Sequence, residues 1–149
     1  MDKILVIKHG ALGDFVLATG PFSAIRHHHK SSKITLLTTA PFEWLAGHSG
    51  YFDSIWIDPK PPWHRCRHWI SFRRRLQREQ FTRVYDLQTS GRSNLYFLLF
   101  PQPKPEWSGT AAGCSHPHTN AKRNDMHTLE RQIEQLNICL LYTSDAADE

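Results

Sequence analysis

No apolar run in this chain is longer than the six residues from Leu95 to Phe100, far short of the ~20 that a membrane-spanning helix requires. Met1-Asp2-Lys3 leads straight into a strand-like segment with no secretory apolar stretch, so a soluble, cytoplasmic protein is expected. Cysteine is scarce: Cys66, Cys114 and Cys139 are odd in number and far apart. That excludes a disulfide framework and fits a reducing compartment. Internal repeats and low-complexity blocks are lacking, which excludes solenoids and disordered tracts. What is present is 149 residues, 40% hydrophobic and 11% aromatic, enough for one domain around one core. The formal charge is +4, and it becomes +7 once Asp145, Asp148 and Glu149 are set aside. A basic domain favours an anionic partner, whether nucleic acid, a phosphorylated sugar or an anionic membrane face.

The last eleven residues, Cys139 to Glu149, break with the pattern of the segment before them. They resemble the in-frame translation of a transposon-end adapter used in preparing sequencing libraries. Residues 139–149 are therefore read as a non-native tail, and residues 1–138 as the domain.

Along that domain, β-branched and aliphatic residues from Lys3 to Lys8 predict a strand buried on both faces, as in a parallel sheet. A glycine-containing loop, His9 to Gly13, follows, with Asp14 as N-cap or first-turn acid of a helix. Phe15, Ala18, Phe22 and Ile25 give that helix its apolar stripe, and Gly20-Pro21 predicts a kink within it. Strands are predicted at Lys33–Thr38, Ser54–Asp58 and Arg83–Gln88, with helices at Pro41–Ala46, Trp69–Gln80 and Ser93–Phe100. Residues 101–125 read mainly as loop with a short strand near Trp107, and His127–Leu136 as a final amphipathic helix burying Leu129, Ile133 and Leu136. Strands alternating with helices predict a Rossmann-like α/β fold, a parallel sheet flanked by helices. In such sheets ligands bind beyond the carboxyl ends of the strands. That rule gathers His9–Asp14, Thr38–Pro41, Asp58–Pro62 and Gln88–Arg92 around one crevice.

The first of these loops has only Gly10 and Gly13, short of the dinucleotide fingerprint, and no Gly-Lys-Ser/Thr of a P-loop. It still offers a close backbone approach, N–H groups at a helix start, and one acid, Asp14. Such a carboxylate can serve as general base, taking a proton from a hydroxyl as that hydroxyl attacks. The plain alternative is a helix cap.

Three segments carry a family resemblance: the strand Ile4-Leu-Val-Ile-Lys8, the loop Gly10-Ala-Leu-Gly-Asp14 with Thr19-Gly-Pro21 beyond it, and Asp86-Leu-Gln88 at the end of the fourth strand. In this order and spacing they resemble the bacterial ADP-heptose:lipopolysaccharide heptosyltransferases of glycosyltransferase family 9. The resemblance implies a GT-B architecture, two Rossmann-like domains facing across a cleft, of which residues 1–138 are the N-terminal, acceptor-binding half. It implies an inverting, metal-independent transfer of heptose from ADP-heptose to a hydroxyl of the lipopolysaccharide inner core, with Asp14 as general base. The nucleotide-sugar donor is a substrate rather than a cofactor, and its diphosphate site would lie beyond residue 138. The chain alone is then expected to be inactive.

Residues 60–92 hold nine basic side chains against Glu79 and Asp86. Arginine's planar fork suits the carboxylates and phosphates of an inner-core acceptor. On this reading Lys8, Gly10, Gly13, Gln88, Arg92, Arg65 and Arg67 are the candidate substrate-binding residues. The Arg73–Arg78 cluster fits equally a solvated helix face, and the basic surface as a whole fits peripheral contact with an anionic inner membrane. His27-His-His29, His64-Arg-Cys-Arg-His68 and His116-Pro-His118 do not make a zinc set at these spacings, so no metal site is expected. Trp63 and Trp69 are expected to pack rather than to serve as stacking platforms. The competing class is a non-catalytic basic Rossmann-like module for a nucleotide or nucleic acid; no standard nucleic-acid signature supports it, so no nucleic acid is expected as partner.

Overall fold

The computed structural model describes residues 2–123, 126–127 and 130–137, so the tail read as non-native, and Leu129, lie outside the described residues. The chain runs β1 (Lys3–Ile7), α1 (Leu12–Leu17), α2 (Thr19–His28), β2 (Lys33–Thr38), a 3₁₀ turn at Ala40–Phe42, α3 (Glu43–His48), β3 (Ser54–Ile57), α4 (Cys66–Glu79), β4 (Arg83–Asp86), α5 (Gly91–Leu99), β5 (Glu106–Gly109) and β6 (His116–Pro117). A further helical stretch occupies residues 130–137. The six strands form one sheet in the order β3-β2-β1-β4-β5-β6, and every pairing is parallel. This is the doubly wound arrangement, with its switch of direction between β1 and β4.

β1 is central, so successive side chains are buried on opposite faces. Ile4 and Val6 join Phe15, Phe22 and Ile25 of α1 and α2, together with Leu136. Leu5 and Ile7 join Phe72 and Leu76 of α4, Tyr96 and Phe97 of α5, and Trp107. A β-branched and aliphatic run with no polar alternation is what a strand covered on both faces demands.

Several expectations need correction. The helix after β1 is two helices, because Ala18 closes α1 and opens α2. Pro21 then falls in the first turn of α2, where its missing N–H costs nothing. Helix α4 starts at Cys66, before the expected Trp69, and ends on Gln80 in the left-handed region at φ 57°. The loop 101–125 contains β6 as well as β5; two residues leave no periodicity to read. Ile133, expected in the buried stripe of the last helix, is 48% exposed, while Gln132, Gln135 and Leu136 are buried. Gln135 takes an inward position there because it bonds the ends of β4 and β5. No helix among the described residues is long and apolar enough to cross a membrane.

Candidate active site

The site grows from the switch point. Where β1 ends, Lys8 N–H donates to Leu37 O at 3.0 Å, and the N–H groups of Leu87 and Gln88 donate to Ile7 O, each at 3.1 Å. The loop that follows is pinned from two sides: His9 N–H donates to Gln88 Oε1 at 3.0 Å, and Thr39 Oγ1 donates to His9 O at 2.9 Å. Gly10 has φ +108°, and any Cβ there would land in the Phe42 ring. Phe42 in turn stacks on Phe15, ring centroids 4.7 Å apart, so the loop is clamped to α1. Gly13 is exposed in the first turn of α1, and a Cβ there would meet nothing.

Helix α1 opens on Ala11 with no side-chain cap, so Asp14 is a first-turn acid and not the N-cap. It is half-buried and faces Lys8 across the loop closely enough to act on its charge. Lys8 itself is buried, and burial lowers its pKa; Asp14 opposes that fall, Arg131 adds to it, and Asp86 opposes it. Arg123 lies in the same field: burial and Arg131 lower its pKa, and Asp86 opposes them. Lys8 and Arg123 thus both feel Arg131 and Asp86, and Lys8 also feels Asp14. Arg123 is held by Nε–H donation to His118 Nδ1 at 3.2 Å and Nη2–H donation to Thr89 Oγ1 at 3.1 Å.

Asp86, at the end of β4, is fully buried. Its Oδ1 accepts the Thr89 N–H at 2.9 Å, closing the turn that presents Gln88, while Oδ2 has no hydrogen-bond partner. Burial pushes this carboxyl up to about 6, with the Thr89 N–H pulling the other way. Gln135 Nε2–H donates to Asp86 O at 2.8 Å and to Ser108 O at 3.2 Å, tying the helical stretch 130–137 to the ends of β4 and β5.

On the far side of the crevice, His9 Nε2 sits 2.6 Å from Asp58 Oδ2, and the Tyr96 hydroxyl donates to both Asp58 oxygens at 2.8 and 2.9 Å. Burial raises the Asp58 carboxyl, but the bonds from His9 and from the Lys60 N–H outweigh it and hold it below the ordinary range. Burial, and then the Asp58 charge, push the Tyr96 phenol up. The network joins the ends of β1 and β3 to α5.

Arg92 lies next to it, donating from Nη1 to Pro61 O at 3.1 Å. Its guanidinium is 5.2 Å from the Trp63 ring and 5.9 Å from that of Trp69. The two indoles stack at 5.4 Å and 23°, and Trp63 is 64% exposed. Trp63 is therefore not a packing residue as expected, whereas Trp69 packs against the core as expected; Trp63 and Arg92 make an open aromatic and cationic shelf on it. Arg65 and Arg67 are exposed at the start of α4, with no side-chain bond among the described residues. Of the candidate residues, the fold brings Lys8, Gly10, Asp14 and Gln88 together and sets Arg92 at the opposite wall. Among the described residues no three of His, Cys, Asp and Glu gather as a metal site. His29 instead meets the Tyr85 hydroxyl at 2.7 Å.

Sequence reasoning did not find His9, Asp58, Tyr96, Arg123 or Arg131. The loops of His9 and Asp58 were marked, the segments of the other three were not, and partners separated by 49 and 38 positions leave no local signal.

No protein-family model matches the chain, and no curated protein matches it. Solved structures do. The glycosyl transferase family 9 structure from Veillonella parvula DSM 2008 is similar with TM-score 0.72 at 17% identity, over 92% of this chain and 40% of that one. E. coli ADP-heptose LPS heptosyltransferase II gives 0.71 at 17%, over 89% and 39%. E. coli heptosyltransferase WaaC with ADP-2-deoxy-2-fluoro heptose gives 0.63 at 16%, over 91% and 47%. The chain therefore spans less than half the length of these structures, and at this identity what it shares with them is the fold, a parallel α/β sheet flanked by helices.

Proposed function

We propose that this chain is the acceptor-binding half of an inverting glycosyltransferase of the heptosyltransferase type. It would act on the cytoplasmic side, moving a heptose from ADP-heptose to a hydroxyl of a lipopolysaccharide inner-core acceptor. The observation that carries the proposal is Asp14: a half-buried carboxylate at the switch-point crevice of a fold shared with heptosyltransferases. As the acceptor oxygen attacks the anomeric carbon, Asp14 takes its proton; the new C–O bond forms on the face opposite the breaking bond to the diphosphate, and ADP departs. Lys8, Arg123 and Arg131 supply positive charge for the acids of the acceptor. Arg92 with Trp63 and Trp69 offers a flat apolar surface beside a cation, suited to a sugar ring bearing an acidic group. Gln88 and Gly10 shape the loop, and Arg65 and Arg67 extend the positive rim. The donor diphosphate is assigned to residues beyond 138.

Calorimetric titration with an acidic inner-core oligosaccharide tests the acceptor half directly. Saturable binding is expected, weakened about tenfold by Arg92→Ala, the order expected from losing one charge-assisted contact. Absence of binding, with tight binding of RNA or DNA instead, would favour the non-catalytic module. In a chain carrying both GT-B halves, Asp14→Asn is expected to abolish transfer while acceptor affinity stays within a few-fold; retained turnover removes Asp14 from the chemistry.

A further inference from the structure

A second polar network lies apart from His9, Asp58 and Tyr96, and it ends on one guanidinium. His118, just after β6, is buried. Arginine only donates, so the bond from Arg123 Nε–H at 3.2 Å makes His118 Nδ1 the acceptor and leaves the ring proton on Nε2. That proton is donated to Glu134 Oε1 at 3.1 Å. Asn120 Nδ2 donates to both Glu134 oxygens, at 2.9 and 3.2 Å. These bonds, from Asn120 first and then from His118, hold the Glu134 carboxyl below its ordinary range, so it remains an acceptor. Each link thus has one direction, from Arg123 through His118 to Glu134.

The same edge of the guanidinium is fixed at its other nitrogen, where Nη2 donates to Thr89 Oγ1 at 3.1 Å. Thr89 has φ 47°, a left-handed conformation that β-branched residues rarely adopt. It persists because the surroundings fix it: its N–H donates to Asp86 Oδ1 at 2.9 Å, and its hydroxyl takes the arginine. The turn stands at the carboxyl end of β4, beside Gln88, whose side chain holds the His9 loop. Arg123 is therefore pinned at the crevice rim along the edge made by Nε and one N–H of Nη2. Both pinning groups, an imidazole and a hydroxyl, are neutral, and Glu134, the acid of the network, is spent on His118 and Asn120. The remaining fork, Nη1 with the second N–H of Nη2, makes no hydrogen bond with a described residue, and the side chain is only half-buried. A planar fork with its direction already set matches two oxygens of a carboxylate or a phosphate and has little rotamer freedom left to lose.

We propose that Arg123 is an oxyanion site at the crevice rim, taking the carboxylate or phosphate of an anionic sugar on its free fork, with His118 and Glu134 as positioning residues. This rests on the acceptor reading of the crevice and assigns the acceptor's acid to one fork.

The test is titration of the isotope-labelled 149-residue chain with glucuronate and, separately, with inorganic phosphate, read by nuclear magnetic resonance on the Arg123 Nε–H and Thr89 amide signals. Neutral glucose and sodium chloride at equal ionic strength are the controls. Saturable shifts are expected with at least one anion and with neither control, and the anion that binds more tightly identifies the acid as carboxylate or phosphate. Arg123→Lys keeps the charge on a single nitrogen, which cannot hold its pins and a ligand together, and is expected to weaken binding about tenfold. His118→Leu removes the acceptor for Nε–H; it is expected to shift that signal before any ligand is added and to weaken binding about tenfold. His118→Asn restores an acceptor oxygen near the place of Nδ1 and is expected to bind within about threefold of the parent. Circular dichroism establishes that each variant is folded, and if His118→Leu is not, Arg123→Lys decides. The proposal is overturned if neither anion shifts the signals, if glucose or chloride shifts them equally, or if Arg123→Lys or folded His118→Leu binds as the parent does. Inner-core oligosaccharide binding that Arg123→Lys leaves unchanged also removes this site while keeping the acceptor reading. Anion binding through Arg123 without oligosaccharide binding keeps the site and removes that reading.

Discussion

At the residue scale the interior has altered the ionisation of groups at both ends of the sheet, Asp86 at the crevice and His29 at the strand starts, and this makes the stability of the domain depend on pH. Asp86 has its carboxyl raised from 3.8 to about 6 by burial. Its neutral form is the favoured one, so its contribution is complete below pH 3.8 and is lost as pH rises through about 6, a swing of about 3 kcal/mol. His29 works in the opposite direction: burial, then His28, lowers it from 6.5 to about 4, so its contribution is complete above 6.5 and is lost as pH falls through about 4. The two slopes oppose each other across the same window. Asp86→Asn keeps an acceptor for the Thr89 N–H and is expected to remove the falling slope, leaving stability that rises from pH 4 to 6.5; urea unfolding at several pH values checks it. An unchanged pH profile would show that Asp86 does not titrate in this range. Gly10 makes a second case. Alanine there meets both the positive φ and the Phe42 ring, and a loss of about 2–4 kcal/mol is expected in urea unfolding. A loss below about 1 kcal/mol would mean that the loop and ring shift aside freely.

At the element scale, start and stop chemistry decided what hydrophobic spacing could not. The apolar stripe Phe15, Ala18, Phe22 and Ile25 is continuous across α1 and α2, so it reads as one helix; proline's missing donor restarts the chain at Ala18 without disturbing which side is buried. Helix α5 shows the reverse, a boundary written in side chains. Ser90 Oγ accepts the Ser93 N–H at 3.1 Å, and Ser93 Oγ accepts the Ser90 N–H at 2.9 Å, a reciprocal cap that fixes the helix start beside Arg92. Ser90→Ala is expected to cost about 1 kcal/mol by thermal or urea unfolding. An effect within error would mean that the Asp86 to Thr89 turn alone sets this end.

At the scale of the whole molecule, the helical stretch 130–137 completes the side of the sheet that α1 and α2 cover. Leu136 enters their core, and Gln135 bonds the ends of β4 and β5. Leu136→Ala is expected to cost about 2–4 kcal/mol in urea unfolding. A loss under about 0.5 kcal/mol would mean that the rest of the domain stands without this stretch. The sequence by itself determined the alternation of strands and helices, the two-faced burial of β1, the crevice loops and the basic surplus, because each depends on neighbouring residues or on composition. Tertiary structure alone decided that β4 lies beside β1 rather than beyond β3, since strand order follows from which faces bury together. That order brings His9 to Asp58 and Asp58 to Tyr96, and sets Asp14 beside Lys8. Such meetings join residues that no periodicity relates, and only the closing of the sheet brings them within reach.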